Sequence, residues 1–163
     1  MHDMAFGTGL KEDDVPALVE YANKTLSNVD FGTDTIEVDY VFNNSDLDTT
    51  VLYEFAKNIA LYGNGIPQPM FAFELVLQPS NFYVIGKNQD TVKISYGGIN
   101  FMKFKSAEWV ETINYNMQFP IIKATILGRS QLNEFNGKTS TQIIIDHMNI
   151  EELDAGDLLW LKD

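Results

Sequence analysis

Side chains that commonly perform hydrolytic chemistry are sparse in this sequence, which has two histidines and no cysteine. Hydrolysis by bound metal ions needs clusters of Asp and His ligands. The adjacent pairs Asp13-Asp14 and Glu151-Glu152 would diverge on a helix, which indicates a solvated surface. Asp146 and His147 alternate along an extended segment, so we predict that their side chains point to opposite faces of a strand. We therefore predict no catalytic residue and no metal ligand in this chain.

The composition is typical of a soluble globular protein, with 163 residues, 45% hydrophobic and 21% charged. No apolar run approaches the length of about 18 residues that a membrane-spanning helix needs. The segment Met1 to Met4 lacks the basic and apolar regions of a signal peptide. The absence of cysteine excludes disulfides and thiolate metal sites. These features predict a cytoplasmic protein without a membrane partner.

The net charge of −12 argues at first against a nucleic-acid partner, which is bound largely through its phosphates. The charge is unevenly distributed. Residues 1–70 hold 3 basic and 12 acidic side chains, residues 71–147 hold 7 and 6, and residues 148–163 hold 1 and 5. The basic residues therefore concentrate in the middle of the chain. A solvated acidic surface is the plainer interpretation of the two flanks.

The first 69 residues predict a small α/β segment of helix, strand and helix. Apolar residues recur at helical spacing over residues 11–27, and Pro16 is tolerated only in the first turn. Alternation over residues 35–42 predicts a strand with one wet face. A second apolar stripe predicts a helix over residues 46–61. Two glycines and two prolines within residues 63–69 end the segment and mark a boundary.

The remainder predicts an antiparallel β-barrel. Short strands are indicated at residues 71–77, 82–86, 91–96 and 99–104, followed by a short helix over residues 106–113. Two long strands then meet at Asn136-Gly137, the strongest short-range hairpin signal in the chain. The predicted fold class is α+β, in which residues 1–69 precede an OB-fold-like barrel over residues 70–163 with an acidic C-terminal tail.

Three separated segments carry a family pattern. Residues 2–7 read His-Asp-Met-Ala-Phe-Gly, and residues 62–69 read Tyr-Gly-Asn-Gly-Ile-Pro-Gln-Pro before a strand. The third segment is the hairpin, with Asn133, Asn136-Gly137 and a strand that ends in Asp146. In this order, they resemble the end of the DHH-associated domain, the linker and the last barrel hairpin of RecJ-type single-strand DNA exonucleases. The resemblance covers nearly the whole chain.

Three departures from the family pattern bear on what the chain contains. Ile66 stands where the family usually has Asn, and Thr91 stands where many members have His. The glycines that precede the motif histidine are absent before His2. We therefore expect a C-terminal fragment of a longer protein. The resemblance implies that Asp and His clusters for a divalent metal (Mn or Mg) lie upstream, and that this chain alone is inactive as a nuclease.

The resemblance also implies a DNA-binding face on the barrel, where cations follow phosphates and aromatic rings stack with bases. We predict that Lys103 and Lys105 share one strand face with Phe101. The predicted substrate-binding residues are His2, Phe101, Lys103, Lys105, Arg129, Phe135, Asn136 and Lys138. Further candidate cations and aromatics are Lys87, Lys93, Lys123, Tyr83 and Tyr96. For each, a solvated lysine or a core aromatic ring is the structural alternative.

These observations predict the region of a RecJ-like exonuclease that binds and positions single-stranded DNA in DNA repair or recombination, in a cellular or phage-encoded parent. The alternative is an acidic protein-interaction module of a repair or replication complex that does not bind DNA. The low number of basic residues favours the alternative, whereas the three family segments favour DNA binding.

Overall fold

The computed structural model describes residues 9, 11–26, 35–63 and 65–153. Contacts divide the chain into two compact units, Met1–Ile36 and Glu37–Asp163. The described part of the first unit is a helix, α1 (Val15–Leu26), which follows one 3-10 turn (Glu12–Asp14). Its bounds agree with the helix predicted over residues 11–27.

The described residues of the second unit form one sheet and two α-helices. In chain order, its elements are β1 (Tyr40–Asn43), α2 (Thr49–Lys57), β2 (Phe71–Leu77), β3 (Phe82–Ile85), β4 (Thr91–Tyr96), β5 (Ile99–Lys103), α3 (Ala107–Asn116), β6 (Ile122–Phe135) and β7 (Lys138–Glu152). The seven strands lie in the order β1-β2-β6-β7-β5-β4-β3. The predicted α+β class is confirmed, and the hairpin turn lies at Asn136 and Gly137 as predicted.

The sheet curls because β2 and β3 are consecutive along the chain but lie toward opposite ends of the strand order. β2 pairs with β6 and β3 pairs with β4, yet only one 3-10 turn (Pro79–Asn81) separates β2 from β3 along the chain. Asn81 holds this bend, since its Oδ1 accepts from the Gln78 N–H at 2.8 Å and its Nδ2 donates to the Ser95 carbonyl at 2.9 Å. The helix α3 lies between β5 and β6, and β7 then runs parallel to β5.

The segment before the barrel differs from its prediction in two ways. The strand predicted over residues 35–42 is the shorter β1, which pairs parallel with β2 and so extends the barrel sheet. The helix predicted over residues 46–61 begins at Thr49, because the Asp48 carboxylate accepts from the N–H groups of Thr50 and Val51 and caps it. The domain division predicted at residue 69 stays a prediction.

A single apolar core lies inside the curled sheet. Alternate residues of β6 point inward and are fully buried, among them Ile122, Ala124 and Ile126. Phe73 from β2 and Phe101 from β5 meet in the centre, with their ring centroids 4.9 Å apart in an edge-on arrangement. The partly polar outer surface of the same strands is therefore held on a rigid support.

A β-bulge interrupts the long hairpin. Leu127 pairs with His147 but Gly128 pairs with Ile145, so Asp146 is the extra residue on β7. Gly128 fits this bend because a Cβ there would clash with the Ile144 carbonyl oxygen and the Ile143 side chain. The buried positions on β7 shift by one residue after the bulge. Asp146 and His147 therefore both lie outside the core, and the prediction that they point to opposite faces was wrong.

Candidate nucleic-acid interface

Four uncharged polar side chains form a continuous row across the outer surface of β4, β5, β7 and β6. Strand register places Ser95 beside Asn100, Asn100 beside Gln142, and Gln142 beside Gln131. Ser95 Oγ donates to Asn100 Oδ1 at 2.7 Å, and Gln142 Nε2 donates to Gln131 Oε1 at 3.0 Å. We call these four residues the polar row. Its amide groups can both donate and accept hydrogen bonds.

The neighbouring register row carries a cation near each end. Tyr83 pairs with Lys93 and Lys93 with Met102. Met102 then pairs with Ile144, and Ile144 with Arg129. The Lys93 ammonium lies 5.5 Å from the centre of the Tyr83 ring, and this ring is 47% exposed. An exposed aromatic ring beside a cation can stack with a base while the cation meets a phosphate. Arg129 supplies the second cation, next to the polar row.

Arg129 is held by the bulged residue. Its Nη1 lies 2.5 Å from Asp146 Oδ2, and both side chains remain partly accessible to solvent. The pair lines a cavity of about 220 Å³ together with Gln68 and Gln131. Gln68 belongs to the segment that links α2 to the barrel, and its Nε2 donates to the Ser130 carbonyl at 2.8 Å. The linker is therefore fixed against the same surface as the polar row.

The tip of the long hairpin presents a second aromatic ring with a nearby cation. Phe135 is 70% exposed, and Lys138 follows it across the turn. Asn136 and Gly137 both have positive φ, at 51° and 72°, as a two-residue hairpin loop of this type requires. The tip thus projects Phe135 and Lys138 into solvent, as the sequence predicted.

Three of the predicted residues do not form the expected DNA-binding face. Phe101 is fully buried in the core, so its ring offers no surface for a base. Lys103 Nζ donates to the carbonyls of Ile145 and Asp146, at 3.2 Å and 2.7 Å, where β7 continues past the end of β5. Lys105 lies beyond the end of β5 with φ of 50°, so strand alternation no longer applies to it.

The remaining sequence candidates are scattered. Lys123 pairs with Glu151 toward the start of β6, away from the polar row, and Lys87 lies in the exposed turn between β3 and β4. Tyr96 is partly buried and packs against the core. His2 lies outside the described residues. The four members of the polar row were missed, because single uncharged polar residues on different strands give no local signal before the register is known.

Neither a metal site nor a membrane helix is found among the residues that the structure describes. No group of three or more His, Cys, Asp or Glu side chains is placed there to hold an ion. No described helix is long and apolar enough to cross a membrane. The described side chains therefore do not fit the divalent metal of the predicted parent enzyme, and no hydrolytic step is assigned to them.

Two similar proteins of known sequence come from Bacillus subtilis strain 168 and from Bacillus phage SPbeta. Both are provisionally named single-strand DNA-specific exonuclease YorK, and the B. subtilis protein is described as derived from the SPbeta prophage. Each is 23% identical to this chain over 165 aligned residues. The alignment covers 98% of this chain but 28% of each relative, so the chain spans little more than a quarter of their length.

The fold also occurs in solved structures of RecJ from Thermus thermophilus. The complex with Mn²⁺ superimposes with a TM-score of 0.60 over 90% of this chain and 21% of RecJ, at 16% sequence identity. The complex with Mg²⁺ gives a TM-score of 0.59 over 89% of this chain. At this identity the likeness concerns the fold. Residues 38–147 of the sequence match the RecJ OB domain family, and the chain therefore belongs to that family.

Proposed function

We propose that this chain binds single-stranded DNA across the outer surface of β4, β5, β7 and β6. The observation that supports the proposal most directly is the polar row, flanked by Lys93 with Tyr83 and by Arg129. Barrels of the OB class bind oligonucleotides through the face of two adjacent strands and through connecting loops. Stacking and phosphate contacts tolerate any base sequence, so we expect little sequence preference.

Each part of the surface has a proposed role in this binding mode. Tyr83 and Phe135 stack with bases, while Lys93, Arg129 and Lys138 meet phosphates. Within the described residues, the amide nitrogens of Asn100 and Gln131 have no protein acceptor and are available to bases or sugars. The roles predicted for Asn136, for Lys105 and for His2, which lies outside the described residues, stay proposals.

We further propose that the parent protein is a RecJ-like exonuclease in DNA repair or recombination, acting in the cytoplasm. Its hydrolytic residues and divalent metal would belong to regions outside this chain. This chain would hold and orient the DNA strand for those regions. The exonuclease names of the two similar proteins support this proposal. We expect the chain alone not to cleave labelled single strands in the presence of Mn²⁺ or Mg²⁺, and clean cleavage would contradict this assignment.

The strongly acidic composition limits the expected affinity. Three phosphate contacts, by Lys93, Arg129 and Lys138, predict that the logarithm of the binding constant falls with the logarithm of salt concentration with a slope of about −2. Fluorescence anisotropy of a labelled oligothymidine, measured at several salt concentrations with duplex DNA as competitor, tests the proposal. Salt-dependent binding that prefers the single strand would support it. No binding at low salt would refute DNA binding by this chain.

A further inference from the structure

A concave surface distinct from the proposed DNA surface lies beside β1, the strand at one edge of the sheet. It is a cavity of about 460 Å³ between β1 and α2. Phe42 and Phe71 form a buried floor, at 3% and 2% exposure. Val51 and Phe55 of α2 and Tyr40 of β1 form the walls and are 36% to 51% exposed. This volume suits one or two large side chains of a ligand.

The rim of this cavity is acidic. Asp39, Asp46 and Asp48 line it, and each carboxylate is fixed by backbone N–H groups. Asp39 Oδ2 accepts from the Met70 N–H at 2.8 Å, and Asp46 Oδ1 accepts from the Asn43 N–H at 2.5 Å. Asp48 caps α2 through Oδ1. These bonds hold three negative charges around one apolar opening. Asp39 and Asp48 each keep a second carboxylate oxygen that can face a ligand, while Asp46 Oδ2 accepts from the Tyr40 hydroxyl at 3.5 Å.

We propose that this cavity is a docking site for a segment of a partner protein that carries a bulky apolar side chain flanked by lysines or arginines. The aromatic floor and walls would bury the apolar side chain, and the three carboxylates would pair with the flanking cations. Nucleic acid does not fit, because phosphates would meet the acidic rim. A second copy of this chain is a poor occupant, because its net charge of −12 is repelled by the same rim.

The docking site is separate from the proposed DNA surface. The polar row lies on β4, β5, β7 and β6, and β2 separates β6 from β1 in the sheet. One barrel could therefore contact DNA on one side and a basic partner segment on the other. Because the two proposals rest on different residues, failure of one leaves the other unaffected.

The first measurement is binding of synthetic peptides to the full chain by fluorescence anisotropy. The test peptide has two phenylalanines flanked by lysines, and two control peptides replace the phenylalanines by serine or the lysines by glutamate. We expect the test peptide to bind at least about tenfold more tightly than either control, since each control removes one half of the complementarity. Equal binding of the test and serine peptides would reduce the effect to non-specific charge attraction and overturn the proposal.

A charge-removal variant locates the binding. Asp39→Asn, Asp46→Asn and Asp48→Asn together keep an oxygen acceptor at each position but remove the three charges. A matched control removes three exposed charges elsewhere in the same unit, through Glu108→Gln, Glu111→Gln and Glu152→Gln. We expect the first variant to weaken peptide binding about tenfold and the second to weaken it less than about twofold. Equal effects of the two variants would refute a local site, with circular dichroism verifying that both remain folded.

Val51→Arg is an independent test, because this exposed helical position lies in the cavity wall and tolerates a long side chain. An arginine there would fill the opening and offset one of the three rim charges, so peptide binding should be lost while oligothymidine binding is unchanged. Retention of peptide binding would overturn the proposal. Sedimentation of the unmodified chain distinguishes the other occupant: concentration-dependent dimers that Val51→Arg dissociates would show that a second copy covers this surface instead.

Discussion

Arg129 Nη1 and Asp146 Oδ2 lie 2.5 Å apart across a β-bulge, so the Arg129 guanidinium beside the polar row is already paired with a carboxylate. A DNA phosphate that approached this surface would compete with the Asp146 carboxylate for Arg129. The ion pair is partly exposed, so its strength is within the range of about 0.2–1 kcal/mol typical of surface pairs. Asp146 therefore orients Arg129 and at the same time weakens its attraction for phosphate.

The first prediction follows from this competition. Asp146→Asn should increase the affinity for oligothymidine by about two- to fivefold, because the guanidinium is released and one negative charge is removed near the binding surface. Fluorescence anisotropy at constant salt measures the change. Arg129→Gln serves as the opposite variant and should lower the affinity. Unchanged or weaker binding by Asp146→Asn would show that Arg129 does not meet a phosphate, or that the carboxylate is needed to position it.

Lys93 should contribute to the salt dependence of DNA binding. Lys93→Gln removes the cation 5.5 Å from the Tyr83 ring and should reduce the slope of log affinity against log salt by about 0.7. Lys123→Gln is the matched control, because Lys123 pairs with Glu151 away from the polar row. The control should leave both the affinity and the slope nearly unchanged. Equal losses in the two variants would indicate a general charge effect in place of a defined DNA path.

Much of the fold could be predicted because its signals are local. The strands β2 and β4 begin and end at their predicted residues, since β-branched and aromatic runs are bounded there by proline, glycine or polar turns. The hairpin turn was predicted from Asn136-Gly137 between two extended, β-branched segments. The parallel pairing of β1 with β2 was not predicted, because it joins residues about 31 positions apart and leaves no periodic signal.

The candidate site was less predictable, because it is formed by pairing between strands that are distant in the sequence. Asn100 and Gln142 become neighbours through the parallel pairing of β5 with β7, which no local pattern indicates. The bulge at Asp146 shifts the alternation of β7, so a strict period of two misplaces the residues after it. Phe101 and Lys103 alternate with Met102 as predicted, but which face is inward depends on the closed sheet, and the Phe101 face is the core.

Two phenylalanines with opposite exposure give the third prediction. Phe135→Ala at the hairpin tip should weaken oligothymidine binding by about 1–3 kcal/mol through loss of stacking, with little change in the free energy of unfolding. Phe101→Ala should lower the free energy of unfolding by about 3–5 kcal/mol, because it leaves a cavity in the core. Urea denaturation and anisotropy on each variant separate the effects. A destabilised Phe135→Ala variant with unchanged DNA affinity would assign the ring to the fold.

Lys103 gives the fourth prediction, because its position decides between a structural and a DNA-binding role. Its ammonium donates to two β7 carbonyls that lie past the end of β5, so Lys103→Met would leave them without this donor. We expect the free energy of unfolding to fall by about 1.5–3 kcal/mol, the usual contribution of a hydrogen bond to a charged group. Oligothymidine affinity and its salt slope, measured where the variant is fully folded, should stay unchanged. A smaller salt slope with unchanged stability would instead place a phosphate at Lys103 and make its carbonyl contacts incidental.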